Sequence, residues 1–454
     1  MPPFMEPFRI KTVEPIPFPD PAARAAALAA AGHNLFRVPA RMITVDLLTD
    51  SGTAAMSAAQ WAALISADES YAGARSYERF AEAVRELTGF AEVIPAHQGR
   101  AAERILLGAV LSPGRISVSN THFDTTTASV LAAGAHPVDL PVPAEDGPDP
   151  FGGDIDVPAL ARLLAGPDGN RVRCVVLTVT NNAHGGQPVS LATIAAVREL
   201  CDRHGALLLL DASRFAENAY LMTVREPACA QLSPRQAARA MFELADGCWA
   251  SLKKDGIGNI GGLIALRDPE LARACREELI AVEGFPTYGG LAGRDLDALA
   301  QGLTEVTEPD YLAYRAACAA WFGDRLADAG LPVLRPTGCH AVYVDAGKLL
   351  PWLLPERLPA TALANALYLA GAVRVSDLGT LVFGRARPDG PDVPAPRESV
   401  RFALPRRVYT RNHLEYVAEA AAEVVVKAAD LRGYRIVRQA QRLRHFTAVL
   451  APLD

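Results

Sequence analysis

The sequence predicts an α/β fold: a large domain built on a mostly parallel sheet, plus a smaller α/β domain. Three observations lead there. Between about residues 92 and 266, short apolar runs bounded by turn residues alternate with amphipathic segments, as in strands joined by crossover helices. The chain's 454 residues exceed what one hydrophobic core usually holds. Beyond residue 293 the pattern changes to a long helical stretch followed by widely separated strands.

The elements follow in order. Residues 1–20 carry many prolines and few periodic apolar positions, which predicts an extended arm packed on a partner subunit. Helical spacing occurs at 21–31, 57–66 and 74–88. Strands are predicted at 115–119, 172–180, 207–211, 247–251 and 261–266, with helices at 191–204 and 234–244 among them. A helical stretch then covers 293–329. It leads to a strand at 341–345, a helix at 360–370, and strands at 400–404 and 446–449 around a helix at 412–430. Two compositionally biased loops, 143–154 and 385–397, are short enough to be surface connections. The expected division is an arm at 1–20, a large domain at 47–311, and a small domain from 21–46 and 312–454.

Composition narrows the function. The net charge of −6, from 45 basic and 51 acidic residues, argues against nucleic acid or an anionic membrane as a partner. No apolar run approaches the length of a membrane span, and the first residues lack a signal-peptide layout, so a cytoplasmic location is expected. The seven cysteines are scattered and never form a Cys-x-x-Cys pair, which reads as reduced core thiols. The nine histidines form no spaced ligand pair, which argues against a transition metal.

Four segments carry chemistry. Lys254 follows the strand-like run 246–250, and Asp211 closes the apolar run 206–210. An amine and an acid at the ends of neighbouring buried strands suit a pyridoxal phosphate ring, the lysine as Schiff base and the aspartate on the pyridine nitrogen. His97-Gln98-Gly99-Arg100 precedes a helical run and offers N–H groups to a phosphate, although glycine turns before helices are common. The polar cluster 120–127 contains Phe123, an aromatic able to stack on the ring; a Thr-rich turn with a core Phe is the plainer reading. Asn182 follows the strand 172–180, where it can donate to the cofactor's phenolic oxygen, or merely belong to a tight Gly-Gly turn.

Taken together, the chain resembles the β-eliminating lyases of the aspartate-aminotransferase-like pyridoxal phosphate fold, from about residue 8 to the end. The resemblance rests on Asp68-Glu69-Ser70-Tyr71-Ala72-Gly73, His97-Gln98-Gly99-Arg100, Gly185-Gly186-Gln187-Pro188-Val189-Ser190 and Lys253-Lys254-Asp255. Tyr288-Gly289-Gly290-Leu291-Ala292-Gly293-Arg294-Asp295 and Pro405-Arg406-Arg407-Val408-Tyr409-Thr410 extend it.

The resemblance implies fold type I, with a mostly parallel seven-stranded sheet in the large domain. It implies that Lys254 is the Schiff-base lysine and moves the α-proton. Asp211 pairs with the pyridine nitrogen; Arg214 and Asn182 serve the phenolic oxygen. Gln98, Gly99, Arg100 and Ser251 hold the phosphate, with Lys253 beside the cofactor in an unassigned role, and Phe123 stacks on the ring. Arg406 clamps the substrate carboxylate. Tyr71 matches the general acid that protonates the departing aromatic ring. Gly52, Glu69 and Asn259 match a potassium site between subunits, and the family's assembly is a homotetramer, a dimer of dimers.

Within the family, Asp124, Leu378 and His445 match the indole-releasing members rather than the phenol-releasing ones. A carboxylate at Asp124 would stabilise the positive charge of an indolenine. Thr125 and Phe446 complete the implied substrate contacts. Departures at His184, Leu252, 256–258 and 377–379 leave a phenol-lyase-like or biosynthetic enzyme for a modified aromatic amino acid as alternatives. An aminotransferase and a non-catalytic pyridoxal phosphate protein are the further ones.

Overall fold

The apolar runs ending at Asp211 and Ser251 become neighbouring parallel strands, Leu207–Asp211 and Gly247–Ser251, inside a seven-stranded sheet of the computed structural model. The structure describes residues 5–143, 149–384, 393–441 and 443–454. Residues 1–4 of the arm and parts of the two biased loops, 144–148 and 385–392, lie outside them.

Two compact units emerge: residues 51–314, and the segment up to Asp50 together with 315–454. In the first, the strand order is Glu92–Ala96, Gly262–Leu266, Gly247–Ser251, Leu207–Asp211, Val172–Thr178, Ile116–Ser119, His136–Asp139. Only Gly262–Leu266 runs against its neighbours. Both edge strands went unread in the sequence, and each contains a proline, Pro95 and Pro137. A proline has no N–H for the ladder, so it is tolerated at an edge and hides the strand from a pattern search. Alternate residues supply two cores. Val175, Leu177, Leu208 and Leu210 face one layer of helices; Cys174, Val176, Leu209 and Trp249 face the other. Parallel strands buried on both faces need apolar residues at every position.

The second unit holds a four-stranded sheet in the order Val45–Leu47, Val373–Leu378, Ser399–Ala403, Ala341–Asp345. Its first pair is parallel, which ties the N-terminal segment to the C-terminal half of the chain. Phe322, Phe402, Tyr368 and Leu47 lie in its core.

Two expectations are corrected. The helical stretch 293–329 is two helices, Gly293–Glu305 and Pro309–Asp328. Pro309 opens the second, where its missing N–H costs nothing. The strand expected at 446–449 is a 3-10 turn, Arg444–Phe446, followed by a strand at Val449–Pro452 that pairs with Tyr434–Arg438. The Arg444 side chain holds the turn by donating to the carbonyls of Thr380 and Leu381, a long-range tie that local pattern does not reveal. The seven cysteines remain thiols, six of them buried. Among the described residues, no helix is long and apolar enough to cross a membrane.

Candidate active site

A parallel sheet delivers the carboxyl ends of its strands to one edge, and the predicted residues gather there. An open cavity, about 700 Å³ with its solvent-facing space included, is lined by Gln98, Gly99, Arg100, Phe123, Asn182, Asp211, Arg214, Ser251, Lys253 and Lys254, together with Thr125, Glu103 and Thr180. Every predicted cofactor residue is therefore on one wall or another of a single cavity in the first unit.

Local chemistry builds each wall. The helix Gly99–Val110 starts at Gly99, and Gln98 gives it no side-chain cap. Its first turn touches the sheet: a Cβ on Gly99 would lie 2.5 Å from Ser251 Cβ, and one on Gly262 would lie 2.4 Å from the Gln98 carbonyl carbon. Glycine at both positions lets this helix end meet the Ser251 strand and its neighbour Gly262–Leu266 directly. The Lys254 loop is pinned on several sides. Gly261 N–H donates to the His97 carbonyl at 2.7 Å, Leu252 N–H to Gly261, and Ile257 N–H to the Lys254 carbonyl at 2.9 Å. The buried Asp255 carboxylate accepts from Ala216 N–H at 2.8 Å, fixing the loop to the start of the helix Phe215–Arg225.

Asp211 is oriented by a relay that the sequence reading missed. Ser251 N–H donates to Ser213 Oγ at 3.0 Å, and Ser213 Oγ donates to Asp211 Oδ1 at 2.8 Å. Asn120 was also missed. Its buried side chain accepts from Thr178 N–H and donates to the Gly153 and Thr178 carbonyls, tying two strand ends together. Phe123 is set by His122, whose ring lies 2.8 Å from Ser117 Oγ and 2.7 Å from Asp139 Oδ1. Phe123 is the residue before the helix Asp124–Ala132, and Asp124 Oδ1 accepts from Thr125 N–H at 2.7 Å.

The lining suits pyridoxal phosphate. Four cationic side chains, Arg100, Arg214, Lys253 and Lys254, outnumber the two acids, Glu103 and Asp211, which favours a dianionic group. Thr180 Oγ1 is buried without a protein partner and lines the same space. An unsatisfied buried hydroxyl is costly unless something else fills its valence.

Other predicted residues lie elsewhere. Tyr71 is 72% exposed, on a loop where its ring sits 5.2 Å from that of Tyr288 and 5.8 Å from that of Phe285. A hydrogen bond with Tyr288 raises the Tyr71 phenol above its ordinary value. Gly52 and Asn259 meet: Asn259 Nδ2 donates to the Gly52 carbonyl at 3.1 Å, and Gly52 N–H donates to the Lys253 carbonyl at 2.7 Å. Glu69 turns to other partners, accepting from Gly293 N–H and lying 3.6 Å from Arg294. Among the described residues, no group of three His, Cys, Asp or Glu side chains is arranged to hold a metal ion.

Four more belong to the second unit. Arg406 is fully buried, with Nη1 3.0 Å from Asp50 Oδ2. Leu378 packs with Ala341 and Tyr343. The His445 and Phe446 rings lie 4.0 Å apart, and Phe36 sits 5.6 Å from the first and 5.0 Å from the second. Phe36 carried no sequence signal. Beside them, Asp377 and Glu398 are buried carboxyls; burial pushes Glu398 up to about 7, and Asp377 is raised for the same reason.

A chain with this arrangement has known relatives. The profile of the family described as "Beta-eliminating lyase" matches residues 46–420. A tryptophanase from Salinibacter ruber is 52% identical over 451 residues, covering 99% of this chain and 95% of its own. One from Hyphomonas neptunium is 48% identical, covering 99% of both chains. A tyrosine phenol-lyase from Intrasporangium calvum is 41% identical, covering 100% of this chain and 96% of its own. Among solved structures, a Sphingomonas wittichii serine palmitoyltransferase superposes with a TM-score of 0.59 at 16% identity, over 85% of this chain and 88% of its own. That likeness concerns the fold.

Proposed function

The chain belongs to the β-eliminating lyase family, with the pyridoxal phosphate fold type I, and on that premise we propose that it cleaves L-tryptophan to indole, pyruvate and ammonia. One observation carries the reading. Asp211 ends one strand, Lys254 follows its parallel neighbour, and both line one cavity with all the other residues expected to hold the cofactor.

Pyridoxal phosphate, when bound, supplies an electron sink for the negative charge left at the substrate's α-carbon. The chain's residues do the rest. Lys254 Nζ would hold the cofactor covalently and take the α-proton. Asp211, steadied by Ser213, would keep a proton on the pyridine nitrogen. The Gln98–Arg100 turn with Ser251 would take the phosphate, Lys253 adding charge nearby; Phe123 would face the ring; Asn182 and Arg214 would bind the phenolic oxygen. Arg406 would orient the substrate carboxylate. Tyr71 would protonate the ring carbon of the leaving group, which cannot depart as a carbanion. Asp124 would sit by the indole N–H, with Thr125, Leu378, His445 and Phe446 shaping the leaving-group pocket. The tryptophanase relatives exceed the phenol-lyase in identity, in line with Asp124, Leu378 and His445.

The same reading includes a potassium ion held by Gly52, Glu69 and Asn259 with a second subunit, a homotetramer, and action in the cytoplasm.

The test is incubation of the pyridoxal phosphate-loaded protein with L-tryptophan and no keto acid. Equal amounts of pyruvate and indole are expected. Turnover that begins only on adding a keto acid would make the enzyme an aminotransferase. Indole release by Lys254→Ala at the wild-type rate would overturn the role of the lysine.

A further inference from the structure

Glu103 lines the cofactor cavity and has no part in the assignments above. It lies one turn into the Gly99 helix, on the face that also buries Ala102, Leu106 and Leu107. Its carboxyl accepts three hydroxyl hydrogen bonds: from Thr126 at 2.6 Å, Thr125 at 3.3 Å and Ser129 at 3.0 Å. All three donors belong to the Asp124 helix. The residue is 3% exposed, and the acidic groups facing it are Asp211 across the cavity and Asp124. Burial, the largest cause, pushes the carboxyl up to about 8, with Asp211 and Asp124 adding to the rise and the hydroxyl bonds from Thr126 and Ser129 opposing it.

This placement links two walls. The helix Glu103 sits on begins with Gln98, Gly99 and Arg100, the proposed phosphate turn. The helix it grips begins at Phe123, Asp124 and Thr125, the proposed ring-stacking and leaving-group wall. We propose that Glu103 is a positioning residue: through Thr125, Thr126 and Ser129 it sets the angle of Phe123 on the cofactor ring and the reach of Asp124, relative to the phosphate turn. This rests on the reading above and adds to it. A clamp with three short-side-chain donors has less rotational freedom than a single bond, so it transmits position rather than merely filling space.

The experiment compares Glu103→Gln, Glu103→Ala and Thr126→Val, each as the full-length protein reconstituted with pyridoxal phosphate. Three quantities are read: cofactor dissociation constant, induced circular dichroism of the bound cofactor, and kcat and KM for L-tryptophan per bound cofactor. Glu103→Gln keeps a planar neutral acceptor and should stay within about threefold of wild type throughout. Glu103→Ala should keep the dissociation constant within about tenfold while altering the dichroism band and lowering kcat by about tenfold or more, since misplacement of about 1 Å acts on the chemical step. Thr126→Val should move the same two readouts in the same direction by less, and serves if the alanine variant does not fold. A purely structural role predicts lower thermal stability with unchanged dichroism and unchanged kcat per bound cofactor; that result overturns the proposal. If wild type binds the cofactor but makes no pyruvate, the substrate reading has failed, and the dichroism comparison still decides the positioning role.

Discussion

Gly99 and Gly108 lie on the same helix, and one substitution should have opposite consequences at the two. A Cβ at Gly99 would stand 2.5 Å from Ser251 Cβ, 2.7 Å from Ser251 Cα and 2.9 Å from Ser251 N. Carbon atoms in contact sit about 3.5–4.0 Å apart. The Gly99→Ala turn must therefore retreat from the Ser251 strand by about 1 Å, and two of the three obstacles are backbone that cannot rotate aside. If Gly99, Arg100 and Ser251 hold the phosphate, that retreat breaks or stretches one charge-assisted hydrogen bond, about 1.5–3 kcal/mol. The pyridoxal phosphate dissociation constant should rise about 10- to 100-fold. At Gly108, by contrast, nothing lies within 4 Å of the added methyl. There Gly108→Ala should leave affinity unchanged and stabilise the helix by about 0.5–1 kcal/mol through the lower backbone entropy of alanine. Both proteins are titrated as apoprotein with pyridoxal phosphate by absorbance, and melted in parallel. Wild-type affinity in Gly99→Ala would falsify the phosphate-turn assignment, as would an equal loss in Gly108→Ala.

Two further predictions concern the second unit and the leaving group. Glu398, raised to about 7 from 4.5, contributes stability that is fully present below pH 4.5 and lost as pH rises through 7. Its Oε1 accepts from the backbone N–H of Thr380 at 2.9 Å and from the Thr380 hydroxyl, bonds that a glutamine can keep. Glu398→Gln should therefore reduce the stability lost between those pH values by about 3 kcal/mol in urea unfolding, on the order of 1.4 kcal/mol per pH unit; an unchanged slope removes Glu398 as its source. Separately, Asp124→Thr combined with Leu378→Arg should weaken tryptophan turnover by about tenfold or more and admit tyrosine, read as pyruvate release. An unchanged substrate preference would show that specificity lies elsewhere.

The gathering of the proposed cofactor residues in one cavity was legible in the sequence because parallel topology places them at strand ends, and strand ends are marked by an apolar run that stops at a polar residue. Asp211 and Ser251 are such endings. Glu103 was equally visible in principle: it falls at helical spacing among Ala102, Leu106 and Leu107, an acid on an apolar face. Ser213 and Thr180 were not legible, since what distinguishes them is one hydrogen bond made and one left unmade. The contact of Phe36 with His445 and the hold of Arg444 on Thr380 join segments far apart in the chain, the second pair by 64 positions, and no local pattern encodes such separations.

Tyr71 raises a question that its position makes answerable. A general acid works where water is excluded, yet this phenol is largely exposed and is absent from the Lys254 cavity lining. If a second copy covers it, Tyr71 of one subunit serves the lysine of another, and the two arrangements separate cleanly. Alone, Tyr71→Phe and Lys254→Ala should each be inactive while Tyr71→Phe still binds the cofactor. Co-expressed, they should regain activity. A mixed pair contains one intact site, built from the lysine of the Tyr71→Phe chain and the tyrosine of the Lys254→Ala chain. Random pairing makes half the dimers mixed, so about a quarter of wild-type activity is expected. If Tyr71 acted within its own chain, every site in the mixture would lack one of the two groups, and no activity would return.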